Sequence, residues 1–180
     1  MARWPESYLP DHIPLYPAMC PTGCLGDRMT IKIILADSHQ LVRQGLALLL
    51  EGEPDMQVVG ETEDCRTTMR LIQEFSPQVV IMDISLPDLN GVEATRMILS
   101  HFPEVKVIAL SMHSDSLFVL NMLNAGASGY LLKDCALEEL VKAIRTVVTQ
   151  KIYLSPTLSN LLVTDLAHKV TLKNSQHGTG

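Results

Sequence analysis

Four polar side chains, each placed directly after a hydrophobic segment, could act together on one substrate. Asp37 follows IKIILA, Asp83 follows QVVIM, Ser111 follows VKVIAL and Lys133 follows GYLL. A carboxylate can act as a nucleophile toward phosphorus, and a divalent cation would offset its repulsion of an incoming phosphoryl group. A hydroxyl and an ammonium group can bind the phosphoryl oxygens. Taken singly, such an Asp is often a turn residue or helix cap and such a Lys is usually just solvated, but the four together predict phosphoryl transfer.

Alternating strands and helices would bring these four side chains to one place. Short segments rich in Val, Ile and Leu predict five strands, at 31–36, 57–62, 78–82, 105–110 and 129–132. Helical patterns lie between and after them, at 40–51, 64–75, 91–101, 114–125 and 136–149. This alternation predicts an α/β fold with a five-stranded parallel sheet covered on both faces. Ligands of such sheets bind at the carboxyl ends of the strands, where all four polar side chains lie.

Local signals refine the helices. Ser114 is placed to cap the fourth helix, Gly126 can end it, and Ser155 followed by proline can start a further helix. One apolar face is expected on the first helix, from Leu41, Val42, Gly45, Leu46 and Leu49, and one on the fifth helix, from Leu137, Leu140, Val141, Ile144 and Val148.

Composition restricts the classes of function. The chain carries a net charge of −6 and has no block of Lys or Arg, which argues against direct nucleic-acid binding. No apolar run approaches the roughly 18 residues of a membrane span, and the N-terminus lacks the apolar stretch of an export signal. The four cysteines match no zinc-binding spacing, and Cys20 and Cys24 lack a second ligand pair. We therefore expect a cytoplasmic protein with unpaired thiols and no membrane partner.

The chain divides into three regions by composition. Residues 1–28 contain five of the ten prolines and are expected to form an extended tail. Residues 29–151 hold the alternating pattern and are expected to form the domain. Residues 152–180 are expected to be a C-terminal linker helix and tail, with helical periodicity lost from residue 169.

Three motifs carry a family resemblance that spans residues 30–151. VVIMDISLPDLNGVEATR resembles the phosphoacceptor loop of two-component response-regulator receivers, and ASGYLLKD resembles the segment with their essential Lys. ADSHQLVRQGL resembles the first loop and helix of the LuxR/NarL subfamily. The resemblance implies a flavodoxin-like (βα)5 receiver fold with strand order 2-1-3-4-5.

The resemblance also implies a role for each site residue. Asp83 would accept a phosphoryl group from a sensor histidine kinase, and Lys133 would contact the acyl phosphate. Mg²⁺ would be held by Asp37, Asp83 and the backbone carbonyl of Ser85. Ser111 would bind phosphate and move on activation, and Tyr130 would swing inward with it. The remaining implied features are a loop shaped by Pro87 and Gly91, and self-association into a homodimer.

Two features depart from the family pattern. Receivers usually carry two adjacent acids after the first strand, but here Ser38 follows Asp37 at the position of the more direct metal ligand. Because a neutral hydroxyl is a weaker ligand than a carboxylate, we expect weak Mg²⁺ binding. LuxR/NarL regulators also continue into a helix-turn-helix domain, whereas only residues 152–180 follow here. We therefore expect the DNA-binding output domain to be absent, in either a shortened chain or a stand-alone receiver.

Two other classes of function compete with the phosphoacceptor. A pseudo-receiver, which binds proteins without phosphorylation, is favoured by Ser38 and disfavoured by Asp83, Ser111 and Lys133. An aspartate-nucleophile phosphatase would need a second Asp two residues after the nucleophile, where this chain has Ser85. We therefore predict that the protein is not an enzyme.

Overall fold

A computed structural model of the protein describes residues 30–135 and 137–175, and for 166–175 it describes the backbone. The expected tail at 1–28 lies outside the described residues. Strands and helices alternate in the described ranges. In chain order they are β1 (Ile31–Ala36), α1 (Gln40–Glu51), β2 (Met56–Thr62), α2 (Cys65–Phe75), β3 (Val79–Asp83), α3 (Gly91–His101), β4 (Lys106–Ser111), α4 (Ser116–Asn124), β5 (Gly129–Leu132), α5 (Leu137–Val147), β6 (Tyr153–Leu154) and α6 (Pro156–Ser175).

The strands form one parallel sheet in the order β2-β1-β3-β4-β5-β6. The flavodoxin-like architecture is confirmed, but the sheet has six strands among the described residues where we expected five. The additional strand is two residues long, with Tyr153 and Leu154 paired to Gly129 and Tyr130 of β5. A segment this short has no detectable alternation of polar and apolar residues, so only its tertiary pairing identifies it.

A hydrophobic core covers each face of the sheet. On one face, α1 and α5 pack against Ile33, Leu35, Ile81 and Leu110. On the other face, α2, α3 and α4 pack against the intervening strand residues, and α6 joins them through Leu158 and Leu162. Strand side chains are thus buried on both faces, which explains their continuous apolar sequences.

The apolar face predicted for α1 is wrong in part. Ala47 and Leu50 are the buried residues of this helix, whereas Leu41 is 83% exposed and Leu49 is 47% exposed. Apolar residues fill positions 46–50 without interruption, so the helical period alone did not define which side faces the sheet. The face predicted for α5 is confirmed, with Leu140, Val141 and Ile144 among its buried residues.

The helix ends follow the local chemistry, with one shift. Asp115, and not Ser114, caps α4, and its carboxylate accepts a 2.7 Å hydrogen bond from the Leu117 N–H. Gly126 follows the end of α4 with a φ of 101°, a conformation that glycine adopts without strain.

The C-terminal helix begins as predicted and ends later. The hydroxyl of Ser155 accepts a 3.3 Å hydrogen bond from the Leu158 N–H at the start of α6. The helix runs to Ser175, past residue 169, where we expected periodicity to be lost. No helix in the described part of the chain is long and apolar enough to cross a membrane.

Candidate functional site

The sheet brings the four predicted side chains to one edge. Asp83 and Ser111 are the last residues of β3 and β4, while Asp37 and Lys133 come directly after β1 and β5. These four strands are adjacent in the order β1-β3-β4-β5. Asp37, Asp83 and Ser111 are buried, so the polar groups lie in a crevice whose walls exclude much of the water.

Lys133 joins the two carboxylates at the centre of the crevice. Its Nζ donates a 2.6 Å hydrogen bond to Asp37 Oδ2 and lies 2.9 Å from Asp83 Oδ2. Burial lowers the pKa of Lys133, but its hydrogen bonds with Asp37 and Asp83 and their negative charges outweigh burial and raise the pKa above its usual value. Lys133 is therefore held in its charged form between the two carboxylates.

The other oxygen of Asp83 is held by its own loop. Asp83 Oδ1 accepts a 3.1 Å hydrogen bond from the Ser85 N–H. Ser85 in turn forms an isolated antiparallel bridge with Asn90, across the loop that joins β3 to α3. The carboxylate thus has one oxygen fixed by the backbone and one directed toward Lys133.

Gly91 closes this loop because no side chain fits there. A Cβ atom at Gly91 would lie 2.6 Å from the Cα of Ile84, well inside the contact distance of two carbon atoms. The Gly91 N–H also donates a 2.9 Å hydrogen bond to the Ile84 carbonyl oxygen. Gly91 therefore allows the close turn that the resemblance implied for this loop. The side chain of Pro87, the other residue named for the loop, is exposed.

Asp88 anchors the same loop to a neighbouring helix, a contact that the sequence did not reveal. Its carboxylate accepts hydrogen bonds of 3.0 Å from the Cys65 N–H and 3.3 Å from the Arg66 N–H, at the start of α2. A carboxylate at this position satisfies backbone donors that have no partner inside the helix.

His39 lies at the mouth of the crevice and was missed by the sequence reasoning. The backbone N–H of His39 donates a 2.8 Å hydrogen bond to Asp37 Oδ1, and the ring Nδ1 lies 3.1 Å from the same oxygen. The ring Nδ1 is also 3.9 Å from Asp83 Oδ2. The signal was present in the sequence, since His39 is the second residue after Asp37 in a loop at the predicted site.

The carboxylates of Asp37 and Asp83 could hold a divalent cation. Ligand atoms of Asp37, His39 and Asp83 all lie within 4.8 Å of one another. The two carboxylates and the Lys133 ammonium group leave a formal charge of −1 in the crevice. Ser38 is half-buried, and its hydroxyl lies 3.3 Å from His39 Nδ1. The loop after β1 therefore presents one carboxylate, one hydroxyl and one imidazole.

Ser111 and Tyr130 both form hydrogen bonds with the backbone of His113. Ser111 Oγ accepts a 2.8 Å hydrogen bond from the His113 N–H, and the Tyr130 hydroxyl donates a 2.8 Å hydrogen bond to the His113 carbonyl oxygen. The Tyr130 side chain is fully buried. The His113 ring stacks on Phe118 of α4, with ring centroids 5.3 Å apart.

α4 also contacts the C-terminal helix, an arrangement that the sequence does not reveal. The hydroxyl of Ser116, the first residue of α4, donates a hydrogen bond to Asp165 of α6. Leu158 and Leu162 of α6 are buried in the same core as Val119 of α4. The segment from Ser111 to α6 is therefore one connected set of contacts.

Cys65 and Cys135 are free thiols, as expected. Burial and the nearby charges of Asp88 and Asp64 raise the pKa of Cys65 to about 12. Burial and the charges of Glu139 and Asp134 also raise the pKa of Cys135. Both groups are therefore poor nucleophiles at neutral pH. Cys20 and Cys24 lie outside the described residues.

The chain is similar to known proteins in sequence and in fold. A family model described as the response regulator receiver domain matches residues 33–145. The transcriptional regulatory protein DegU of Brevibacillus brevis is 40% identical over 133 residues, which are 74% of this chain and 56% of DegU. The response regulator GacA of Pseudomonas protegens is 38% identical over 133 residues, which are 74% of this chain and 62% of GacA. The chain thus spans about three-fifths of the length of these curated relatives.

Solved structures extend the comparison. A two-component response regulator of the LuxR family from Aurantimonas sp. SI85-9A1 aligns with a TM-score of 0.74 and 36% identity, covering 77% of this chain and 99% of that one. The isolated REC domain of RcsB from Salmonella enterica serovar Typhimurium, solved in the presence of the phosphomimetic BeF3⁻, aligns with a TM-score of 0.69 and 29% identity. That alignment covers 74% of this chain and 99% of the RcsB chain.

Proposed function

The chain belongs to the response regulator receiver domain family, and from that premise we propose that it accepts a phosphoryl group on Asp83 from a sensor histidine kinase. The observation that carries this proposal is the contact of Lys133 Nζ with both buried carboxylates, at 2.6 Å from Asp37 and 2.9 Å from Asp83. A buried nucleophile beside a fixed cation is suited to a reaction that builds negative charge. Receiver domains act as signalling modules, and the proposed reaction is a single transfer to the protein itself.

The proposed transfer uses the unfixed oxygen of Asp83. Asp83 Oδ2 would form a bond to phosphorus while the P–N bond of the donor's phosphohistidine breaks, and that electron pair stays on the imidazole nitrogen of the kinase. The Ser85 N–H keeps Oδ1 in place during the transfer. Lys133, already beside Oδ2, would then pair with a phosphoryl oxygen.

We assign the metal site of this reaction to the same crevice. Asp37, Asp83 and the backbone carbonyl of Ser85 would hold Mg²⁺, with Ser38 as a weak neutral partner. A bound Mg²⁺ offsets the repulsion between Asp83 and the phosphoryl group. The convergence of two buried carboxylates supports this assignment, because carboxylate oxygens are the ligands that Mg²⁺ prefers.

The switch would run through His113. A phosphoryl group on Asp83 adds a charge of about −1.5 to −2 and new acceptor oxygens, which compete for the hydroxyl of Ser111. If Ser111 turns toward them, the His113 N–H loses its acceptor, while the Tyr130 hydroxyl continues to hold the His113 carbonyl oxygen. The His113 ring would pass the displacement to Phe118 and α4.

The central proposal is tested by chemical phosphorylation of purified protein. Incubation with acetyl phosphate and Mg²⁺ should add one phosphoryl group, lost again at alkaline pH, as seen by intact-mass measurement. Asp83→Asn should prevent the adduct, whereas the matched variant Asp88→Asn, five residues along the same loop, should retain it. An adduct of equal yield on Asp83→Asn would refute the assignment.

A pseudo-receiver is the second candidate, and Ser38 is the observation that favours it. Such a module would bind its partners, or a second copy of itself, without phosphorylation. A phosphorylation-dependent receiver should change its association through the surface of α4 and β5, where Leu117 and Phe118 of α4 are exposed, or through the face of α5. Sedimentation with and without BeF3⁻ separates the candidates. Different association constants support the switch, and identical constants support the pseudo-receiver.

We further propose the domain organisation of the chain and the output that it controls. Residues 29–151 would form the receiver, and 152–180 would form a C-terminal linker helix and tail. The named relatives include a transcriptional regulatory protein, so the output that this receiver controls would be transcription in a two-component system. With a net charge of −6, the chain itself is proposed to contact proteins and not nucleic acid.

A further inference from the structure

We propose that His39 is a metal ligand in this chain and that the site therefore prefers an imidazole-binding ion, with Zn²⁺ as its representative, over Mg²⁺. The inference rests on the proposed metal site at Asp37 and Asp83. It adds a ligand that the sequence pattern did not reveal, and it changes the class of ion that the crevice would select.

The geometry places the imidazole within reach of a shared ion. Two ligand atoms bound to one ion at about 2.1 Å can be at most about 4.2 Å apart. His39 Nδ1 lies 3.1 Å from Asp37 Oδ1 and 3.9 Å from Asp83 Oδ2, so both distances meet this limit. The three residues come from the ends of two adjacent strands, whose positions are fixed by the sheet.

The imidazole is available for this role. Asp37 Oδ1 is held by the backbone N–H of His39 at 2.8 Å, so the loop keeps its conformation when the ring exchanges its contact with Asp37 for a metal. The His39 side chain is 67% exposed. The ring nitrogen Nε2 can therefore carry the hydrogen atom and donate a hydrogen bond to water. No cap hydrogen bond engages this side chain at the start of α1.

The donor set determines the selectivity. Mg²⁺ prefers oxygen ligands and gains little from a nitrogen donor, while imidazole is a favoured ligand of Zn²⁺. Ser38 supplies a hydroxyl where a second carboxylate would strengthen Mg²⁺ binding. Two carboxylates and one imidazole also equal in number the three protein ligands of zinc sites that keep one position open, and both ligand types bind Zn²⁺.

Calorimetric titration of metal-free protein tests the inference. Wild type, His39→Ala and the matched control His101→Ala would each be titrated with ZnCl2 and with MgCl2. His101 is an imidazole at the far end of α3, where its Nδ1 contacts the Met97 carbonyl oxygen. All three proteins carry the same four cysteines and the same four histidines besides His39 and His101, so zinc bound at those residues is common to them. The exposed position of His39 allows its removal without loss of folding, which circular dichroism checks.

We expect wild type and His101→Ala to bind Zn²⁺ alike and at least tenfold more tightly than Mg²⁺. His39→Ala should weaken Zn²⁺ binding at this site by roughly tenfold or more, since loss of a residue that only hydrogen-bonds a metal ligand already lowers metal affinity by about that much. Mg²⁺ affinity should change by less than about twofold.

Other outcomes overturn the inference. Equal Zn²⁺ affinities of His39→Ala and wild type would show that the ring only hydrogen-bonds Asp37. Equal losses for both ions would show that His39 positions Asp37 without selecting the metal. These results leave phosphorylation of Asp83 untouched, because that proposal fails only if Asp83→Asn still takes the phosphoryl group.

Discussion

Ser38→Asp should restore strong Mg²⁺ binding to the crevice. The substitution adds a carboxylate beside Asp37 and changes the formal charge of the site from −1 to −2. The Ser38 hydroxyl lies 3.3 Å from His39 Nδ1, which itself lies 3.1 Å from Asp37 Oδ1. A carboxylate at position 38 would therefore join the same cluster of ligands.

The size of the effect follows from two opposing contributions. One unit charge about 4 Å from a divalent ion contributes about 8 kcal/mol at an effective dielectric constant near 20. Loss of hydration by the ion and by the new carboxylate cancels most of this attraction. We expect a net gain of about 1–2 kcal/mol, or roughly tenfold in affinity.

Magnesium titrations of wild type, Ser38→Asp and Ser38→Asn provide the assay. Asparagine has nearly the shape of aspartate but no charge, so it separates charge from size. Ser38→Asp should also be phosphorylated faster by acetyl phosphate. Without metal it should be less stable to denaturant than Ser38→Asn, because its carboxylate repels Asp37 and Asp83. Equal Mg²⁺ affinities of the three proteins would refute the reasoning and show that another group already fills this ligand position.

Three further predictions concern packing and thiol chemistry. Gly91→Ala should lower the free energy of unfolding by about 1–3 kcal/mol, because its Cβ would meet the loop backbone at 2.6 Å. In the control variant Gly45→Ala the new Cβ meets nothing within 4 Å. Gly45→Ala should therefore raise the free energy of unfolding by about 0.5–1 kcal/mol. Urea titrations measure both, and a neutral Gly91→Ala would contradict the close approach. Leu158→Ala should remove about 2–5 kcal/mol of stability if α6 is part of the core, whereas the exposed Val163→Ala should change it by less than about 0.5 kcal/mol. Cys65, with a pKa near 12, should resist iodoacetamide at pH 8 until the protein is unfolded. Peptide mass spectrometry locates the label among the four cysteines, and rapid labelling of Cys65 in the native protein would disprove its burial.

Much of the site was predictable because strand ends are strong signals. Each of Asp37, Asp83, Ser111 and Lys133 follows an uninterrupted apolar segment, and parallel strands bring such positions to one edge. The pattern of α5 was equally informative, since its apolar residues keep the helical period. The roles of these residues stay predictions until phosphorylation is measured.

What the sequence did not reveal depends on contacts between distant segments. The two-residue strand β6 exists only because Tyr153 and Leu154 find β5 as a partner. The continuous apolar run in α1 left its buried side undefined, and Leu41 proved to be exposed. His39 was overlooked because a polar residue at the start of a helix is ordinary; its meaning comes from its 3.9 Å distance to Asp83 on another strand.

Location of the phosphoryl group in wild-type protein tests the central claim most directly. After reaction with acetyl phosphate and Mg²⁺, borohydride reduces an aspartyl phosphate to homoserine, which peptide mass spectrometry can assign to a single residue. We predict homoserine at position 83, with Asp37 and Asp88 unchanged. Homoserine at either of those residues with none at 83, or no homoserine under conditions where the adduct forms, would contradict the account.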